Sequence, residues 1–281
     1  MPPQHADKNI LIDYDSLEGK RGMSKEQFIA FPEEYTRREL NARYREIPLK
    51  DTASRLLRKY FNAMANLYGI IPLYKAKEIL FSLSPKLVTE DEFLAFTEIA
   101  RHECEGYYIL GGDEFYTDVR HTKPLDREII DVAMIDESID LFIETKRRQQ
   151  DKPYYVPDKK HLLEYEDPFY CEDTPEKCRL RTFLKERCNL SDARETVVFE
   201  ELLYGVRSVA VQPSDVFGRL EKLGVRFKSQ RDAEQFTALY SAFHNTTRMP
   251  CNRGYTPDEL MQMTPPEERF KSLSLGPNIR K

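Results

Sequence analysis

At 281 residues, with 32% charged side chains, a net charge of −5 and a mean hydropathy of −0.63, the chain is long enough for two domains that each bury a core. No run of about eighteen apolar residues occurs, and the opening Met1-Pro2-Pro3-Gln4-His5-Ala6-Asp7-Lys8 lacks the apolar core of a signal peptide, so a cytoplasmic location without a helical membrane span is expected. Cys104, Cys171, Cys178, Cys188 and Cys251 are odd in number and widely spaced, which fits reduced thiols and not a disulfide framework.

Residues 1–50 read as an N-terminal arm with short helices. Asn9-Ile10-Leu11-Ile12-Asp13-Tyr14 has the run of a short strand, and Gly19 and Gly22 loosen what surrounds it. Ser24-Lys25-Glu26-Gln27 has capping-box spacing and predicts a short helix through Phe28 and Ile29, interrupted by Pro32. A basic helical stretch carries Arg37, Arg38, Arg43 and Arg45. Arg38 and Arg45 are seven apart and share a side, whereas Arg37 and Arg43 are expected to point elsewhere, so the four are not expected to make one stripe. Glu34 with Arg38 and Glu39 with Arg43 stand four apart in the favourable order, which predicts a solvated, ion-paired face; a phosphate-binding ridge is the alternative.

Residues 51–120 have the most recognisable order of elements. Leu57, Tyr60, Phe61, Met64, Leu67 and Tyr68 recur at the spacing of one helical face, which Gly69 ends. Ile70-Ile71-Pro72 is a short extended piece, and Leu73, Ala76, Ile79, Leu80 and Leu83 make a second helical stripe up to Ser84-Pro85. Thr89-Glu90-Asp91-Glu92 is a capping box opening a third helix with Phe93, Phe96, Thr97 and Ala100 inward. Tyr107 to Leu110, Gly111-Gly112-Asp113 and Glu114 to Thr117 read as strand, tight turn and strand. Helix, strand, helix, helix, hairpin is the element order of a winged helix, so the expected fold is mainly α, with a winged-helix-like module bearing a small β-hairpin and an α-helical domain after it.

Charge decides what such a module would meet. Residues 61–118 hold four basic and ten acidic side chains, a net of −6, against +2 for residues 1–60 and −1 for residues 119–281. A reading helix carrying Glu90, Asp91, Glu92, Glu98 and Glu103 against Arg101 repels a duplex and forfeits the counterion release that drives non-specific binding. A protein partner is therefore favoured, met by Glu90, Asp91, Glu92, Glu98 and Arg101 with Tyr107, Tyr108, Phe115 and Tyr116 of the hairpin. Nucleic acid held by Arg37, Arg38, Arg43 and Arg45 together with the wing is the alternative partner.

Val119 to Leu125, with Pro124, reads as the connection to residues 121–281, an α-helical domain. A helix is expected from Asp126 to Gln150, with Ile129, Ile130, Ala133, Met134, Ile139, Phe142 and Ile143 on its apolar side and Lys146, Arg147 and Arg148 complementing its C-terminal end. Pro153 and Pro157 keep Lys152 to Pro157 extended; Asp158 to Tyr165 starts a short helix that Asp167-Pro168 breaks. Helices over Thr174–Cys188, Ser191–Tyr204, Ser214–Leu223 and Arg231–Asn245, with Ser191 and Ser214 as N-caps and Gly224 as a stop, predict a bundle or stacked hairpins.

His244-Asn245-Thr246-Thr247-Arg248 and Asn252-Arg253-Gly254-Tyr255-Thr256-Pro257-Asp258-Glu259-Leu260 are the most distinctive run. The run resembles the end of a group of uncharacterised bacterial proteins in which an Asn-Thr-Arg, Asn-x-Gly, Thr-Pro-x-Glu-Leu segment precedes an optional cysteine-rich tail like that of the SecA translocase. The resemblance extends to Tyr68-Gly69-Ile70-Ile71-Pro72, the helix from Thr89 and Tyr154-Tyr155-Val156-Pro157, and it implies little about function. This chain departs from the pattern by one extra threonine and lacks the tail's Cys-x-Cys zinc signature, so the resemblance implies no metal. Each residue of the run also has a capping or turn role: Gly254 ends an element, Thr256 and Glu259 form a capping box around Pro257, and Asn245 and Arg248 are placed to tie down a helix end.

No phosphate-binding loop, dinucleotide fingerprint, His-Glu-x-x-His or Gly-x-Ser-x-Gly occurs, which removes several large enzyme classes. His161, Cys171, Cys178 and Cys188 are too widely spaced for a compact zinc site, and Glu98, His102 and Glu105, though on one helical side, read first as exposed residues. The expectation is a non-enzymatic protein without cofactor or metal that binds another protein. A metal-dependent enzyme without a recognisable motif is the third alternative.

Overall fold

In the computed structural model, residues 11–13, 26–115, 119–211 and 214–265 are described. They belong to two units, Met1–Gln150 with Val156–Tyr170, and Asp151–Tyr155 with Cys171–Lys281. Both are mainly helical, and the sheet content is a two-stranded pair and a three-stranded sheet.

In the first unit, β1 (Leu11–Asp13) pairs antiparallel with β2 (Glu26–Phe28). The helix expected to begin at Ser24 is thus replaced by a strand, because a single turn closes few backbone hydrogen bonds whereas the neighbouring strand supplies a ladder. Ser24 itself lies outside the described residues. There follow α1 (Arg37–Glu46), α2 (Asp51–Tyr68), β3 (Ile70–Pro72), α3 (Leu73–Leu83), α4 (Glu90–Ala100), β4 (Tyr107–Leu110), the single turn α5 (Gly112–Phe115), β5 (Glu128–Asp131), α6 (Ala133–Asp136), α7 (Ile139–Gln149) and α8 (Lys159–Glu164).

The apolar stripe of α2 is the centre of this unit. Leu57, Tyr60, Phe61, Met64, Leu67 and Tyr68 are all buried. Phe61 meets Phe93, Phe96 and Tyr107 edge-on at 5.9, 5.5 and 5.6 Å, and each such buried ring contributes roughly 2–3 kcal/mol by removal of apolar surface from water. At the end of α2, Gly69 turns the chain at φ 68° and its N–H donates to Ala65 O at 2.7 Å, while the Gln149 amide donates to Tyr68 O at 2.6 Å. The Tyr60 and Ser84 hydroxyls, 2.9 Å apart in the interior, tie α2 to the end of α3.

The sheet corrects the expected hairpin. β4 does not turn back on residues 114–117; its partner is β5, with Tyr107 opposite Asp131 and Leu110 opposite Glu128, and β5 also pairs with β3, Ile70 opposite Ile130. β5 therefore lies between β3 and β4. Gly111-Gly112 is not a positive-φ turn but the entry to α5. The Glu114 carboxylate accepts from Gly111 N at 2.6 Å and Thr122 Oγ1 accepts from Asp113 N at 3.0 Å, so side chains cap a helical turn where a hairpin was expected. A Cβ on Gly111 would sit 2.7 Å from Thr122 Cβ, so close approach is what requires glycine there. The single helix expected from Asp126 to Gln150 divides into β5, α6 and α7, because Ile129 and Ile130 fill the central strand between two partners. The expected connection at Val119 to Leu125 accordingly falls inside the first unit.

The second unit contains α9 (Pro175–Glu186), α10 (Asp192–Arg207), α11 (Asp215–Lys222), α12 (Gln230–Thr246) and α13 (Pro257–Met263), close to the helices read from sequence. α9 packs against α10 and α12, burying Leu180, Phe183, Leu184, Phe199, Phe236 and Phe243. Ser191 and Ser214 precede their helices without a side-chain cap bond, whereas Thr174 and Ser229 accept from Lys177 N and Asp232 N. Glu195 is fully buried and is held bidentately by Arg181 at 2.6 and 2.7 Å, which satisfies a carboxylate that burial alone would penalise.

The distinctive closing run of the sequence forms an interlocked knot. Arg248 donates to Glu172 at 2.7 Å, to both oxygens of Glu259 at 2.9 and 3.2 Å and to Gly254 O at 3.1 Å, and its guanidinium lies 3.4 Å from the Tyr155 ring centre. Lys152 donates to Asn252 Oδ1 at 2.6 Å, and Tyr155 N donates to Arg253 O at 3.0 Å. Arg253 and Gly254 carry φ values of 51° and 83°, and the Thr256–Glu259 capping box restarts the chain as α13. Asn245 is exposed and takes no part in holding the knot.

Candidate functional site

The solvent face of α4 is built by its own cap and by its packing. Thr89 Oγ1 accepts from Glu92 N at 3.2 Å and Glu92 accepts from Thr89 N at 2.7 Å, so Glu92 serves the helix start. Phe93, Phe96, Thr97 and Ala100 face inward. What remains outside is Glu90, Asp91, half-buried Leu94 and Ala95, and Glu98, a strip at i, i+1, i+4, i+5 and i+8. Glu90 pairs with Lys77 at 2.7 Å and Glu98 with Arg127; Asp91 has no ion pair among the described residues. The strip is acidic with a shallow apolar centre.

The other residues expected at this site divide. Arg101 turns to Glu114, whose carboxyl is raised above the ordinary range chiefly by burial. Tyr107 is 2% exposed and Phe115 4%, the latter stacked on Phe142 at 4.9 Å, so both are core and not surface. Without the second strand of a hairpin, nothing lifts them into solvent. Tyr108 is half-buried, donating to Asp136 at 2.8 Å and touching Phe31 at 5.0 Å. Tyr116 lies outside the described residues.

The far end of α4 is covered by the chain leading into α1. Tyr35 N donates to His102 O at 3.0 Å, the two rings stack at 4.0 Å, His102 Nδ1 lies 2.7 Å from Glu33 O, and Tyr44 meets Phe96 at 5.7 Å. Burial, helped by Arg101 and Arg43, lowers the His102 pKa against the opposing pull of the Glu33 carbonyl and Glu98. Beneath this contact Arg58 forks onto Glu103 at 2.6 to 3.0 Å. Sequence spacing gives no sign of this long-range latch.

α1 itself departs from the reading of its arginines. Successive residues turn by about 100°, so Arg45 falls between Arg37 and Arg38 in projection, and all three share one side. With Asn41 and Ala42 they line a shallow concavity of about 460 Å³. Arg43 lies nearly opposite, its guanidinium 4.2 Å from the Tyr35 ring centre, and Glu39 is taken up by the Thr36 capping box. The expected Glu39–Arg43 pair is thus replaced by a cap and a cation–π contact. In the second unit a larger concavity of about 690 Å³ beside α11 is lined by Glu201 and Arg219, which pair with each other, and by Ser214, Asp215 and Lys222.

Among the described residues no three His, Cys, Asp or Glu side chains gather as a metal site, and no helix is long and apolar enough to cross a membrane. His161 pairs with Asp158 at its own helix cap, and burial raises the thiol pKa of Cys171 and Cys188. No family model matches the chain, nor does any curated protein or solved structure.

Proposed function

We propose that residues 51–131 are a winged-helix-like module that binds another protein, without catalysis, through the outer strip of α4. The order α2–β3–α3–α4–β4–β5, with β5 returning between β3 and β4, supports the module reading. The observation that carries the binding reading is the strip Glu90, Asp91, Leu94, Ala95 and Glu98: carboxylates around a half-buried apolar centre. Such a surface suits a basic polypeptide with a small apolar anchor and opposes a row of phosphates. Glu92, Tyr107 and Phe115 are left out of the contact set.

The test is quantitative capture of protein partners by the full chain and by a Glu90→Lys/Asp91→Lys variant. Removing two first-turn carboxylates costs α4 about 1–2 kcal/mol of helix-end stabilisation, which leaves the fold intact. Loss of a saturable partner with the double reversal, and its retention by Glu90→Gln/Asp91→Asn at reduced affinity, supports the reading. Unchanged capture by the reversal variant contradicts it.

A further inference from the structure

We propose that the Arg37, Arg38 and Arg45 side of α1 is a sequence-independent site for the phosphodiester backbone of a nucleic-acid strand, separate from the α4 strip. Three observations carry it. These arginines make no ion pair among the described residues, whereas others in this chain, such as Arg58, Arg181 and Arg248, are matched to Glu103, Glu195 and Glu259. Second, they line one concavity together with Ala42 and with Asn41, which projects within the arginine arc as an uncharged donor beside three forked ones. Third, the carboxylates and the remaining cation of α1 are directed elsewhere: Glu39 to Thr36, Arg43 to Tyr35, and Glu46 off the arginine arc.

The spacing selects an extended polyanion over a single phosphate. From Arg38 to Arg45 the helix rises about 10 Å, and the three guanidinium groups spread over it can each meet one phosphate of a strand that follows the helix, about three in all. Guanidinium forks suit phosphate oxygens better than ammonium groups do. A single strand can follow α1 without bringing a second row of phosphates against the acidic α4 on which α1 packs.

Fluorescence anisotropy with labelled single-stranded and duplex oligonucleotides of about 20 nucleotides, titrated with the full chain across a salt series, tests this. The single strand should bind with a log–log salt slope of about −2, the slope expected when about three phosphates are neutralised. Arg37→Ala/Arg38→Ala/Arg45→Ala should weaken binding at least about tenfold and flatten the slope, Asn41→Glu should weaken it with every arginine in place, and Arg43→Ala should leave it unchanged. Since these side chains are exposed, circular dichroism should show all variants folded. Tighter binding of duplex would keep the phosphodiester site and reverse the strand preference. No binding at low salt, equal binding by the triple variant, or equal displacement by a poly-glutamate peptide of matching charge would overturn the proposal. Because none of these variants alters Glu90 or Asp91, failure here and failure of the α4 reading are distinguishable.

Discussion

Arg248 illustrates how much of the second unit rests on one side chain. It is 9% exposed and joins Glu172, Glu259, Gly254 and Tyr155, so Arg248→Ala leaves two carboxylates facing each other. Both are partly hydrated, and the loss should be about 2 kcal/mol, below the 3–5 of a fully buried pair, read as a lower urea midpoint. Arg248→Lys should recover less than half, since an ammonium cannot fork onto Glu259 while stacking on a ring. Tyr107 predicts the opposite sign. Its hydroxyl is buried without a hydrogen-bond partner, and burial pushes its pKa well up, so Tyr107→Phe should be neutral or stabilising by about 1 kcal/mol; a clear loss would reveal a hidden partner. His102 supplies the pH dependence. Its folded pKa is depressed, so the unfolded chain takes up protons first, and the stability that the neutral, partly buried imidazole contributes is complete above about 6.5 and is lost as pH falls through the folded value. An NMR titration of the His102 ring should place its midpoint below that of a free imidazole; a midpoint at or above it would contradict the account.

Between β4 and β5, glycine placement decides the backbone path. Gly111→Ala puts a methyl against Asp113 and Thr122 and should cost about 1–3 kcal/mol, whereas Gly112→Ala meets only ordinary contacts beginning at 3.5 Å and should leave the melting temperature nearly unchanged. The same segment shows what the sequence conceals. The helical stripes of α2, α3 and α4, the Thr89 and Thr256 capping boxes and the Gly69 stop were legible because their determinants lie within four residues of one another. β5 was not, since Ile129 and Ile130 also fit the spacing of Ala133 and Met134, and only the presence of β3 and β4 on either side, distant in sequence, makes them a strand. The α4 strip was half legible: its carboxylates are plain in the sequence, but the withdrawal of Glu92 into a cap and of Tyr107 and Phe115 into the core follows from packing. The arginines of α1 could have been placed by projection alone, because Arg45 lies eight residues after Arg37 and returns to its side.

Over the whole chain, a net charge of −5 conceals opposite local characters, +2 over residues 1–60 and −6 over residues 61–118. Three outward arginines on α1 and an acidic strip on α4 give the first unit two surfaces of opposite sign, so one partner would be chosen by carboxylates and another by guanidinium groups. The second unit contains internal ion pairs such as Arg181–Glu195 and Arg248–Glu259. The central claim is that α4 meets protein. The most direct measurement is photo-crosslinking from a benzophenone side chain at Leu94, with the same group at exposed Lys160 as the control. The account predicts a discrete protein adduct from position 94 that disappears in the Glu90→Lys/Asp91→Lys background. An adduct sensitive to nuclease, or equal labelling from both positions, would contradict it.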